Sequence, residues 1–168
     1  MPMPTVYVHS LLYLLPSIAI AILLSRLAGR VYLFAILTLP GTFVHELLHW
    51  LVGGMFGARP TSISIIPRRG RGNEYTLGAV TFTNLRWYNA APAAIAPILI
   101  LPAVGAIAFW RVHGGWRYEP LDIALWLGLA PQLLSFWPSN ADWGLALRSW
   151  PAALAIAAAT TGYWAAIH

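Results

Sequence analysis

Apolar runs interrupted by arginine, glycine and proline divide the chain into five stretches, at residues 6–27, 31–56, 88–110, 121–137 and 143–167. Each is near the ~20 residues that an α-helix needs to cross the hydrocarbon of a bilayer. The first is closed by Arg26, Gly29 and Arg30, and the second ends at Gly57. Between the second and third the pattern changes period. Thr61-Ser62-Ile63-Ser64-Ile65 alternates every second residue, residues 68–74 form a charged, glycine-rich turn, and residues 77–83 alternate again. That pattern predicts a β-hairpin over about residues 60–84, with one face covered by protein or by the membrane interface. Trp87, Tyr88, Trp110, Trp116, Trp137, Trp143 and Trp164 fall near the ends of the apolar stretches, where aromatic rings form an interfacial belt. The expected fold is an all-α membrane protein of about five transmembrane helices, with a membrane-associated β-hairpin between helices two and three. No internal repeat or linker divides residues 1–168, so a single domain is expected.

Composition agrees with this pattern. Of 168 residues, 59% are hydrophobic and 9% charged, and the mean hydropathy is +0.67, against roughly 25% charged residues in a soluble domain. A multi-pass integral membrane protein is expected. The chain has no cysteine, which excludes disulfides, thiolate metal ligands and a cysteine nucleophile. All of its basic residues are arginine, and in a membrane protein the net charge of +5 reports orientation before any nucleic-acid partner, of which no motif gives a sign. Met1-Pro2-Met3-Pro4 lacks a basic leader region, so no cleavable signal peptide is expected.

Chemistry concentrates in His45-Glu46-Leu47-Leu48-His49, inside the second apolar stretch. Residues four apart on a helix stand one above the other, so two imidazoles can grip one cation while Glu46 points off that axis, free to act as a base. Ionisable groups in a hydrocarbon-spanning helix are costly unless paired, hydrated or metal-bound. Thr38, Thr42 and Gly53 share the histidine face and are small or weakly polar, so this face should look into the bundle. Pro40 should loosen the helix just before the motif.

A catalytic zinc site needs a third protein ligand and leaves the fourth position open. The candidates are Glu74, Glu119, Asp122, Asp142, His9, His113 and His168. Tracing the spans places the end of the fourth on the side where the second ends, and Asp142 follows it directly. Glu119, Asp122 and His113 fall at the opposite face. Ser139-Asn140-Ala141-Asp142 also reads as a capping box opening the next helix, so Asp142 is a ligand, a cap, or both.

These landmarks together resemble the site-2 protease family of intramembrane zinc metalloproteases, peptidase M50. His45-Glu46-Leu47-Leu48-His49 matches the family's histidine-glutamate motif within a transmembrane helix, followed by Gly53, Gly54 and Gly57. The hairpin is similar in position to the family's membrane-associated β region, and Ala90-Ala91-Pro92 to its alanine-glycine-proline element. Asn140-Ala141-Asp142 is similar to the second family motif, with Ala141 in place of proline and Trp143 in place of glycine. The resemblance implies zinc bound by His45, His49 and Asp142, Glu46 as the general base, and Asn140 helping to hold substrate or the oxyanion.

The expected function is intramembrane zinc endopeptidase, acting on transmembrane proteins or peptides within the lipid bilayer. Such a substrate arrives as a helix and must be unwound, and a strand edge of the hairpin can receive it by β-augmentation. The alternatives are a noncatalytic zinc-binding adaptor or scaffold, which gains little from Glu46, and a metal transporter, which needs polar residues that the first and third spans lack. Arg59, Arg68, Arg69, Arg71 and Arg86 lie between the second and third spans, against Arg26, Arg30, Arg111 and Arg117 on the other face. The arginines clustered in the hairpin turn point to an active site toward the cytoplasmic side.

Overall fold

A computed structural model describes residues 3–69 and 75–167. Two of the ligand candidates, Glu74 and His168, lie outside these residues, as does most of the charged hairpin turn. The order is α1 (Met3–Tyr13), α2 (Leu15–Ser25), α3 (Val31–Met55), β1 (Pro60–Ser64), β2 (Arg68–Arg69), β3 (Tyr75–Thr76), β4 (Ala79–Phe82), α4 (Ala90–Ile95), α5 (Ile100–His113), α6 (Pro120–Ser135), α7 (Asn140–Ala146) and α8 (Trp150–Ile167). Tight 3-10 turns link α4 to α5 at Ala96–Leu99 and α7 to α8 at Leu147–Ser149.

Among the described residues, three helical stretches are long and apolar enough to cross a membrane: Thr5–Ser25, Val31–Met55 and Ala90–His113. By length and composition this is a membrane protein. The fourth expected span, α6, has 16 residues and reaches about 24 Å, short of the ~30 Å hydrocarbon core. The fifth is divided. α7 stops after two turns, a 3-10 turn intervenes, and the helix restarts at Trp150-Pro151, where a proline without an amide hydrogen fits the first helical turn.

α3 runs unbroken through Pro40 and buries Ala35, Thr38, Gly41, Thr42, Glu46, His49 and Gly53 along one face. The small and weakly polar residues flanking the histidines therefore do look inward. Thr38 satisfies its hydroxyl within the helix, donating to the Phe34 carbonyl at 2.8 Å. At Gly41 the absence of a side chain lets α6 approach so closely that a β-carbon would collide with the Pro131 carbonyl and the Ser135 hydroxyl. α3 ends at a left-handed glycine, Gly57 at φ 75°. Its amide bonds the Gly54 carbonyl at 3.0 Å and the Ala58 amide bonds the Gly53 carbonyl at 2.8 Å, which closes the helix and turns the chain into the hairpin.

The expected hairpin forms. β1 and β4 pair antiparallel, Ile63 opposite Val80 and Ser64 opposite Ala79, and β2 and β3 continue it as a second short ladder. Two glycine contacts seat it on α3. The Phe82 ring lies on Gly53, and the backbone at Gly78 lies on Glu46. These anchor pairs are about 10 Å apart along the helix and about 13 Å apart along an extended strand, so the hairpin lies along the helix that carries the histidines.

Far from the histidines, Asp122 is fully buried and ties three elements together. It accepts from Tyr13 Oη at 2.8 Å, Arg111 Nε at 2.8 Å, Arg111 Nη2 at 3.0 Å, Trp116 Nε1 at 3.2 Å and the Glu119 amide at 2.8 Å. Every lone pair of this carboxylate is used, which makes the cluster a structural clasp joining α1, α5 and α6.

Candidate metal centre

His45 and His49 come from adjacent turns of α3, with their Nε2 atoms 3.1 Å apart. Each ring is oriented through its other nitrogen. His45 Nδ1 donates to the Ser135 carbonyl at 2.5 Å and His49 Nδ1 to the Ala93 carbonyl at 2.7 Å. Both carbonyls are free for local reasons. Ser135 is the last residue of α6, and the Ala93 carbonyl would meet position 97 one turn on, where Pro97 has no amide hydrogen. Since a carbonyl only accepts, both Nδ1 atoms carry the proton, and in the neutral rings both Nε2 atoms present lone pairs.

The third group is Asp142, whose Oδ1 lies 3.4 Å from His49 Nε2 and whose Oδ2 lies 3.7 Å from His45 Nε2. The capping reading of this residue holds, and the same carboxylate joins the two histidines in a group that could hold a metal ion. Ser139 and Asp142 form a reciprocal capping box at the start of α7, in which Oδ2 accepts from the Ser139 amide at 2.7 Å and the Ser139 hydroxyl at 2.6 Å. The cap fixes the carboxylate and leaves Oδ1 facing the imidazoles.

Three acceptors thus converge, within 4.8 Å of one another, in a group able to hold a metal ion. Lone pairs aimed at each other need a cation between them. A shared proton answers one pair, whereas a metal ion answers all three. The separations from His49 Nε2, 3.1 Å to His45 Nε2 and 3.4 Å to Asp142 Oδ1, are near the edge of about 3.4 Å of a tetrahedron whose ligands stand ~2.0–2.1 Å from its centre. Two imidazoles and one carboxylate, oriented by carbonyl and hydroxyl partners, give such an ion nitrogen and oxygen donors with a supporting shell.

Glu46 is 6% exposed and points away from the histidine axis to lie beneath Gly78. It opens into a cavity of about 1050 Å³ that His45, His49, Asn140, Asp142 and every residue of β4 also line. β4 pairs with β1 on one side and with no other strand among the described residues, so its second edge is unpaired.

The remaining ligand candidates stand apart. Asp122 belongs to the clasp, Glu119 lies 3.4 Å from Arg111, and His113 stacks on Phe109 at the end of α5 with ring centroids 5.2 Å apart. His9 lies on α1, away from the cluster. Four features went unread in the sequence: Gly41, Gly78, the two carbonyl acceptors, and Arg148, which lines the same cavity. Gly41 has a signal in hindsight, a glycine one turn before His45. Arg148 has another, an arginine inside a stretch read as a membrane span.

No protein-family model, curated protein or solved structure matches this chain.

Proposed function

We propose that this protein is an intramembrane zinc endopeptidase of the site-2 protease type, hydrolysing peptide bonds of membrane-protein substrates. The observation that carries the reading is the convergence of His45 Nε2, His49 Nε2 and Asp142 Oδ1 beside a buried, non-ligating Glu46. These three residues are the zinc ligands. A zinc ion held there supplies Lewis acidity, activating water and polarising the scissile carbonyl. Glu46, which lines the same cavity as the three ligands, would take the proton of such a water as general base and deliver it to the leaving amine. Burial under Gly78 keeps the carboxylate fixed and shielded from bulk water.

The substrate backbone is received by the unpaired edge of β4, which returns to an unwound segment the hydrogen bonds lost from its helix. Asn140, on the same cavity wall, holds the substrate or the developing oxyanion. α6 and α8 complete the bundle as its fourth and fifth crossings, with the local bilayer adapting to the shorter α6. The hairpin side is cytoplasmic: Arg148 joins Arg59, Arg68, Arg69, Arg71 and Arg86 on that face.

The test is cleavage of transmembrane peptides by the purified protein in detergent or proteoliposomes, compared with Glu46→Gln. The amide keeps the shape but cannot take the proton, so zinc should stay and cleavage should fall by at least about 100-fold. Near-normal cleavage by the variant removes Glu46 from the base role. Bound zinc with no turnover of any substrate by the unsubstituted protein supports the adaptor reading instead.

A further inference from the structure

Arg148 stands on the 3-10 turn that follows α7, lines the cavity of the metal centre and is exposed. Its base is held in place. The neighbouring Ser149 is buried, and its hydroxyl accepts from the Ala91 amide at 2.8 Å, pinning the turn to α4. Among the described residues no carboxylate pairs with Arg148. Glu119 and Asp122 are taken by Arg111, and Asp142 by the histidines and Ser139. Glu46 and Asp142 balance the charge of a divalent ion in the site, which leaves the guanidinium, among the described residues, as unmatched positive charge on the cavity wall.

We infer that Arg148 recognises a carboxylate of the peptide substrate near the bond to be cut, making the protein selective for an acidic side chain or a chain end at that position. The inference rests on the endopeptidase reading. A guanidinium binds a carboxylate through two parallel N–H donors, which gives direction as well as strength. Arg148 follows Asp142 by six positions and lines the same cavity, so one extended peptide in that cavity can meet both the metal centre and the guanidinium. Asn140 lines the same cavity and adds an amide to the polar wall.

The experiment measures binding by zinc-loaded Glu46→Gln protein in neutral detergent, so that no peptide is consumed. The probes are synthetic apolar peptides with amidated ends, in which Glu, Gln or Lys is stepped along one flank. A second set ends at each stepped position with a free carboxylate. At one position the Glu peptide should bind about tenfold more tightly than the Gln peptide and more tightly still than the Lys peptide. Arg148→Gln should abolish the difference and Arg148→Glu should reverse it in favour of Lys, both with unchanged zinc content. Tighter binding by the second set than by the internal Glu peptides assigns the recognised group to a chain end, and the reverse assigns it to a side chain.

Glu peptides that bind no better than Gln and Lys peptides at any position overturn the inference, as does a Glu preference that survives Arg148→Glu. A third contrary result is a uniform loss for all peptides in Arg148→Glu, together with weaker binding to phosphatidylglycerol vesicles, which assigns Arg148 to lipid headgroups. Charge-dependent binding without cleavage by the unsubstituted protein counts against the endopeptidase reading and leaves carboxylate recognition standing.

Discussion

The backbone of Gly78 rests on the carboxylate of Glu46: a β-carbon at position 78 would stand 2.5 Å from Glu46 Oε1 and 2.8 Å from Cδ. The hairpin and Glu46 are therefore one mechanical unit. Gly78→Ala must lift the strand or push Glu46 aside, and a displacement near 1 Å at a reacting group costs about 100-fold in rate. Cleavage should fall by that order while zinc content stays, because the atoms nearest to a β-carbon at Gly78 all belong to Glu46 and not to the proposed ligands. Turnover and metal content measured on the same preparation check this.

Gly41 plays the corresponding part for the ligands. Its missing side chain lets α6 bring the Ser135 carbonyl to His45, one helical turn further on. Gly41→Val should separate the helices and release the His45 ring from its acceptor. Loss of such an orienting bond weakens metal binding by roughly 10- to 100-fold. Competition against a chelator of known affinity reads the change.

Asp142 and Ser139 can be separated by substitution. Ser139→Ala removes the cap hydroxyl that bonds the Asp142 amide and carboxylate, at a cost of about 1 kcal/mol of stability, with zinc largely kept. Asp142→Ala removes the cap and the proposed ligand together, so zinc affinity should collapse. Equal, mild effects in both variants by thermal unfolding and elemental analysis would reduce Asp142 to a cap.

Asp122 should behave in the opposite manner. Its carboxylate gathers Tyr13, Arg111 and Trp116 far from the histidines, so Asp122→Ala leaves buried donors without an acceptor. The midpoint of thermal unfolding should fall by roughly 5–10 °C, with zinc stoichiometry unchanged in the protein that remains folded.

The histidine pair was legible in sequence because a helix imposes the spacing of four that a cation needs, and Asp142 because counting spans puts it beside them. The hairpin was legible through its period of two. The acceptors that orient the rings carry no side-chain signature. They are backbone carbonyls, released by a helix end at Ser135 and by the missing amide of Pro97. Span counting reads apolarity and not length or continuity: α6 is short, and the stretch that begins at Trp143 contains a capped short helix, a 3-10 turn and a proline restart. Treating that stretch as one span also hid Arg148. Gly41 and Gly78 matter through what approaches them, which only the tertiary fold determines.

The central claim is tested most directly by zinc content and peptide cleavage measured together on chelator-washed, zinc-reconstituted protein and on His45→Ala, His49→Ala and Glu46→Gln. We expect about one zinc per chain with cleavage in the unsubstituted protein, about one zinc without cleavage in Glu46→Gln, and neither in the histidine variants. Full zinc retention in both histidine variants, or cleavage that persists without zinc, would contradict it.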